Sequence, residues 1–345
     1  MGEGETPGQP RQDWSPDYVH KCAVCGSTQD VIPVTEWNRG LCHHCLPRCL
    51  EHRVFNEIRR RQMIGPHERV GVAVSGGKDS SSLLAILAVL RRQKPFTLVA
   101  IHIDTGIGEY SAWSRAAVEE LCRRYAVRLV VENTADYGVS PRTLGPWPAC
   151  AVCGSIRRAL LPRVARRENL EVLATGHTLE DMLQTLLKQV LSGRSFCPKP
   201  VLPATPYDPK KIKPLYLVPE KLTAAYARMK RLEHVEELCP YFLPETHRFK
   251  EVFEHLERLA PMSKVQVLTN LGRLMKPPPV SERLFVCEDC GEASQRELCP
   301  LCMIRRLQHG QPVPFLKTQP GDAVGRPFEG TKEEQDPENL GDASE

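Results

Sequence analysis

No run of apolar residues in this 345-residue sequence is long enough to cross a bilayer. Its opening, MGEGETPGQPRQDW, has no apolar core of the kind a secretory signal needs. A membrane protein and a secreted one are thereby set aside, and we expect a cytoplasmic protein without membrane contact. The core of the sequence also lacks an internal repeat of the kind that marks a solenoid or propeller. It has no Gly-x-x-x-x-Gly-Lys-[Ser/Thr] loop either, so it is not an ordinary P-loop NTPase.

Cysteine, by contrast, is plentiful. Fourteen cysteines in a reducing compartment point to metal or catalytic chemistry rather than disulfides. Cys22-x-x-Cys25 and Cys42-x-x-Cys45 make two knuckles separated by a short ribbon, and Cys287-x-x-Cys290 and Cys299-x-x-Cys302 repeat the arrangement with a tighter loop. Four thiolates at such spacing suit tetrahedral zinc, and each module is too small to fold without a cross-link. Both ligand sets are closed, so two structural zinc sites are expected, with His43, His44 and Cys49 near enough to the first to swap in as a ligand. Cys122 lies in an amphipathic helical pattern and reads as core. One pair has no second half: Cys150 and Cys153, in GPWPACAVCGSIRR. Taken alone it is compatible with buried or free thiols, a redox shuttle, or a metal site with a distant third ligand.

The net charge of +4 hides an asymmetry, because the tail from Thr318 onward carries two basic and eight acidic residues, leaving about +10 on the body. That balance is compatible with nucleic acid. Three stretches cluster the cations: HRVFNEIRRRQ, CGSIRRALLPRVARR and AYARMKRLEH. Any one of them is more often a solvated helix face, and phosphate contact gains weight where they share a side.

Hydrophobic periodicity divides the chain into a Gly/Pro-rich, disordered start (1–18), an N-terminal zinc module (19–50), a catalytic core (51–280), a C-terminal zinc module (281–310) and a disordered acidic tail (311–345). In the core, RVGVAVSG, FTLVAIHID, VRLVVEN and LEVLATGH read as strands, alternating with helices at SSSLLAILAVLRRQ, SAWSRAAVEELCRRYA and CGSIRRALLPRVARREN. Such alternation predicts an α/β fold with a doubly wound parallel sheet.

The sharpest chemical motif is VAVSGGKDSSSLL, where a strand runs through Ser75, Gly76, Gly77, Lys78, Asp79 and Ser80 straight into a helix. Two glycines let backbone N–H groups turn toward an anion, and the helix N-terminus adds its dipole. Ser75 and Ser80 offer hydroxyls, Lys78 a phosphate-neutralising charge, and Asp79 a magnesium ligand. HIDTGIGEYS, with His102 and Asp104, and TGHTLEDMLQTLL, with Gly176, His177 and Asp181, follow later strands at the edge where open α/β sheets bind ligands. Asp181 reads as a magnesium ligand or proton-transfer group, with a plain helix cap as the alternative. His177 divides evenly between ligand contact and a structural hydrogen bond.

The SGGKDS loop resembles that of the PP-loop ATP pyrophosphatases, which cleave ATP between the α- and β-phosphates. Over about residues 20–310 the ordered set of N-terminal knuckle, SGGKDS, GIGEYS, central Cys-x-x-Cys, ATGH, late Cys-Pro and C-terminal knuckle resembles the TtuA-type tRNA 2-thiouridine synthetases. That resemblance implies a 4Fe–4S cluster on Cys150, Cys153 and Cys239, with one iron left open for the incoming sulfur in place of a fourth protein ligand. It also implies Lys78 and Asp181 as catalytic groups, ATP with magnesium as co-substrate, tRNA as substrate, a ubiquitin-like thiocarboxylated sulfur carrier, and a homodimer. Attack of the uracil C2 oxygen on the ATP α-phosphate would expel pyrophosphate, and sulfide would then displace AMP from C2.

Departures from the family pattern are visible. Arg157 stands where a lysine is usual, and a guanidinium keeps the charge without acting as a proton-donating amine. The GHNxDD loop reads Gly176-His177-Thr178-Leu179-Glu180-Asp181, so Thr178 and Glu180 differ while Asp181 matches the second acid. A tRNA cytidine thiolase, an amidating PP-loop synthetase and a non-catalytic zinc-containing RNA-binding protein are the alternatives. The central cysteines count against the amidating enzyme, and intact Lys78, Asp79 and Asp181 against the non-catalytic one.

Overall fold

A computed structural model describes residues 20–193, 199–205, 208–243, 248–274, 285–294 and 296–313. The start expected to be disordered, most of the tail, and Cys197 lie outside them. At the N-terminus, β1 (Val31–Val34) and β2 (Arg39–Cys42) pair antiparallel and lead into α1 (Leu46–Arg60). The chain then alternates through β3 (Arg69–Ala73), α2 (Lys78–Leu90), β4 (Thr97–Asp104), α3 (Gly108–Tyr125), β5 (Arg128–Asn133), α4 (Ala149–Arg167), β6 (Val172–Ala174) and α5 (Leu179–Leu191). A short hairpin of β7 (Val201–Leu202) and β8 (Lys210–Ile212) precedes α6 (Glu220–Lys230), α7 (Arg248–Leu259) and α8 (Ser263–Leu274). The ribbon of β9 (Phe285–Val286) and β10 (Ala293–Ser294) and the helix α9 (Pro300–Gln308) follow.

Six strands form one sheet in the order β5-β4-β3-β6-β8-β7. Every pairing is parallel except that of β7 with β8 at the edge. Its central strands β3, β4 and β6 are apolar on both sides because helices cover both. In β4, Leu98 and Ala100 join a core with α1, α2 and α6, while Val99, Ile101 and Ile103 face α4 and α9. The chain winds outward from β3 in one direction to β4 and β5, then crosses back to place β6 on its other side. That reversal between β3 and β6 is the switch point at which doubly wound sheets open a crevice beyond their carboxyl ends.

The cysteine-bearing ends are built into this body. Val34, Trp37 and Leu41 share the core of α1 and α2, and the Trp37 indole donates to Leu217 O at 3.2 Å. The boundary drawn at residue 50 falls within α1. Cys287, Cys299 and Cys302 pack in the second core with Ile156 and Leu160 of α4. Cys122 is buried in α3, as its helical position suggested, and burial pushes its thiol up to about 12.

Candidate active site

The turn after β3 is fixed by its two ends. Gly76 has φ of +88°, and a Cβ there would sit 2.9 Å from Ser114 Cα, so a side chain would meet both strain and α3 backbone. Gly77 is the N-cap of α2. Ser80 Oγ donates to Gly77 O at 2.9 Å and accepts from Ser75 N–H at 3.1 Å. The two serine hydroxyls, expected to donate to phosphate, thus also cross-brace the loop. Bracing leaves the first N–H groups of α2 at the crevice, where a helix end favours anions.

Opposite this loop, Gly176 approaches so closely that a Cβ would lie 3.0 Å from Ser80 N and Cα. Thr178 then caps α5: its backbone N–H and hydroxyl both donate to Asp181 Oδ2 at 3.1 Å. Asp181 is therefore a capping group and a cleft residue at once. The cleft, about 360 Å³, is lined from one wall by Ser75, Gly77, Asp79 and Ser80, from another by Thr175, Gly176, His177 and Asp181, and from a third by Gly154, Arg157 and Arg158 of α4.

Four of the expected nucleotide residues, Gly76, Lys78, His102 and Asp104, lie back from this lining. Lys78 bonds Asp79 at 3.1 Å and Glu220 at 2.6 Å. His102 is buried, its Nδ1–H donating to Val74 O at 2.9 Å, so it supports the strand beneath the loop; its Nε2 has no partner among the described residues. Burial holds this imidazole below its usual range. Asp104 accepts from Gly106 N at 3.0 Å and steadies the turn into α3. That helix starts at Gly108, so much of the GIGEYS stretch is already helical.

Cys150 and Cys153 stand in the first two turns of α4, one exposed and the other half-buried. Cys239 lies in the electrostatic neighbourhood of Cys153, on a segment strapped to the phosphate loop, with Val235 N–H donating to Gly76 O at 2.9 Å and Ser81 Oγ to Glu233 O at 3.1 Å. Burial raises the Cys153 thiol; Arg157 opposes that, and the nearby Cys150 and Cys239 sulfurs add to it. Tyr110 lies in the same neighbourhood, its phenol raised by burial and by Cys239. Sequence reasoning missed Tyr110, although it stands inside GIGEYS. It also missed Glu220, Lys250 and Thr223, whose hydroxyl donates to Asp79.

Each terminal group of four cysteines brings its sulfurs within 4.8 Å of one another. The Cys25–Cys42 and Cys290–Cys299 separations are 3.6 and 3.8 Å. A tetrahedron with arms of about 2.3 Å, the Zn–S length, spaces its corners about 3.8 Å apart. Backbone N–H groups of Cys299 and Cys302 donate to sulfurs of Cys287 and Cys299 at 3.3 and 3.4 Å. His43, His44 and Cys49 belong to neither group. The central thiols are not drawn together in this way. A cluster that spreads its ligands over separate irons has no need of such convergence.

Among the described residues the basic stretches border different surfaces. Arg60 and Arg61 border a hollow of about 570 Å³ with Lys199 and Arg273, whereas Arg158, Arg163 and Arg166 of α4 border another of about 400 Å³ beside the C-terminal ribbon. Lys230 of the third stretch pairs with Glu51 at 3.0 Å. No described helix is long and apolar enough to cross a membrane.

Residues 50–239 match the model of a PP-loop domain. A tRNA-5-methyluridine(54) 2-sulfurtransferase of Thermus thermophilus is 31% identical, over 81% of this chain and 89% of its own. A probable sulfurtransferase of Methanocaldococcus jannaschii is 30% identical, over 77% of this chain and 82% of its own. Among solved structures, the U34-tRNA thiolase NcsA of Methanococcus maripaludis, determined with its [4Fe-4S] cluster, superposes with a TM-score of 0.71 at 25% identity, covering 85% of this chain and 97% of that one. The phosphate loop, the central cysteine pair and the two four-cysteine groups lie within one chain that belongs to the tRNA-thiolating TtuA-type sulfurtransferases of the PP-loop family.

Proposed function

We propose that this tRNA sulfurtransferase replaces the C2 oxygen of a tRNA uridine by sulfur, using ATP and forming AMP and pyrophosphate. One observation carries the reading: Gly154 and Arg157, on the helix that bears Cys150 and Cys153, line the same cleft as Ser75, Asp79 and Asp181. The helix that carries the two central cysteines thus forms one wall of the nucleotide cleft, which supports a shared reacting centre. An amidating synthetase would not need that juxtaposition.

The N-terminal N–H groups of α2 would receive the β- and γ-phosphates, with Lys78 behind them as the neutralising charge, and Asp79 and Asp181 would hold magnesium. Attack by the uracil C2 oxygen forms an O–P bond at the α-phosphate as the bond to pyrophosphate breaks. The sulfur nucleophile then forms C2–S, and C2–O cleaves with AMP departing. The chain's contribution is placement and charge stabilisation rather than covalent chemistry of its own. Arg157, beside Cys153, supplies positive charge where thiolate and sulfide charge gathers.

Three thiols from two segments, with Cys150 and Cys239 close enough to act on Cys153, suit a 4Fe–4S cluster on Cys150, Cys153 and Cys239. Such a cluster supplies a Lewis-acidic iron free to bind inorganic sulfur. The spacing and N–H···S bonds of the terminal groups suit structural zinc. A ubiquitin-like thiocarboxylated protein as sulfur source, a homodimeric state and a cytoplasmic setting complete the reading by family likeness. AMP release from ATP, measured with and without unmodified tRNA, tests it: strict dependence on tRNA is expected, and tRNA-independent turnover or none contradicts it.

A further inference from the structure

Charged groups of alternating sign connect the two walls of the cleft. Lys78 Nζ lies 3.1 Å from Asp79 and 2.6 Å from Glu220 Oε1. Glu220 Oε2 lies 2.7 Å from Lys250 Nζ, which lies 3.0 Å from Asp181 Oδ1. Three carboxylates and two ammonium groups thus form one chain, Asp79–Lys78–Glu220–Lys250–Asp181. Asp79 and Asp181 line the cleft; Glu220 and Lys250 do not.

Asp181 has divided duties. Its Oδ2 is committed to capping Thr178, so Oδ1 is the oxygen left to face the cleft, and Lys250 is its ion-pair partner. The Lys250 side chain is only 14% exposed. It comes from α7, beyond the 50–239 segment that matches the PP-loop domain. Glu220 is anchored in turn, its backbone N–H donating to buried Glu180 Oε2 at 2.8 Å. A fixed carboxylate between two lysines sets the direction of both.

We propose that Glu220 and Lys250 are positioning residues for the adenylation step: Glu220 orients Lys78 and Lys250 orients Asp181 Oδ1, so that α7 completes a site the PP-loop domain opens. The inference rests on the reading of this cleft as an RNA-adenylating one. Lys250 acts through Asp181 and touches no phosphate itself.

The test is a double-mutant cycle on tRNA-dependent AMP formation with the full chain. Lys250→Met should lower kcat about 10- to 100-fold, the scale of a misplaced catalytic group. It should leave the MgATP Kd from calorimetry within about threefold, as expected of an interaction made in the transition state. In an Asp181→Asn background the same change should cost less than about twofold, because residues acting as a unit are not additive. Lys250→Arg, which keeps the charge, should restore most of the loss. Equal losses in both backgrounds, or a Kd weakened in step with kcat, overturn the positioning role, and the Kd measurement decides even where Asp181→Asn is silent. Lys250→Gln serves if the methionine variant folds poorly. A wild type without tRNA-dependent AMP formation strikes the functional reading instead, which keeps the two failures apart.

Discussion

Glu180 and Lys264 form a buried ion pair, the Lys264 ammonium lying 3.0 Å from Glu180 Oε1 with both residues almost wholly shielded from water. Lys264 also pairs with Glu36, 3.2 Å away in the N-terminal ribbon, and with Glu254 of α7. Burial opposes the Lys264 charge, but these carboxylates hold it well above the usual lysine range; burial raises Glu180, with Lys264 opposing. The glutamate that departs from the GHNxDD pattern therefore has a structural partner, and it stands beside Asp181.

Removing one partner of a buried pair strands the other charge, at about 3–5 kcal/mol. Lys264→Met should accordingly lower the unfolding free energy by about that amount in denaturant titration. A loss under about 1 kcal/mol would mean that the carboxylates reach water or protonate without cost.

Acid should act through Glu220. Burial raises its carboxyl, but Lys250 and Lys78 outweigh that and bring it from 4.5 to about 2. A depressed carboxylate contributes stability that is present above its unfolded pKa and is lost as pH falls through the folded one, here between 4.5 and about 2. Roughly 3 kcal/mol is the upper value for such a shift. The melting temperature of Glu220→Gln should therefore vary less with pH across that window than that of the wild type, and parallel curves would remove Glu220 from the acid response.

Much of this was legible in the sequence where the information is local. A strand, a glycine turn and a helix start make the phosphate loop, and paired Cys-x-x-Cys knuckles announce a tetrahedral thiolate site; both are set by spacing along a few residues. The alternation of strand and helix likewise gave the parallel sheet and the buried Cys122. Glu220 and Lys250 were invisible because an ion pair spanning 142 positions, as between Lys78 and Glu220, leaves no periodic trace. His102 reads as a ligand residue because it lies near the carboxyl end of a strand, yet the pleat turns it beneath the loop to Val74 O. The ribbon at 19–50 read as a separate module because its apolar residues are few, but Val34, Trp37 and Leu41 are spent on the main core.

Metal content separates the cysteine groups. Protein prepared anaerobically should be brown and carry about four irons and two zincs per chain, as one cluster and two closed thiolate sites require. Colourless protein without iron after anaerobic reconstitution contradicts the cluster.

Substitution separates scaffold from cluster ligands. Cys22→Ser or Cys287→Ser should lose one zinc and lower the melting temperature, because a structural thiolate site contributes folding energy directly. Cys150→Ser, Cys153→Ser and Cys239→Ser should each abolish thiolation with zinc retained, and Cys197→Ser should remain active. An active Cys239→Ser beside an inactive Cys197→Ser would move the third ligand to Cys197.

The most direct measurement couples the two half-reactions. Reconstituted protein is incubated with unmodified tRNA, ATP, magnesium and sulfide, and AMP and the digested nucleosides are quantified together by mass spectrometry. A 2-thiouridine nucleoside should accumulate with one AMP per sulfur incorporated, and Lys78→Ala should give neither product. Thiolation that proceeds without AMP, or AMP formation that never yields a thiolated uridine, would contradict that coupling.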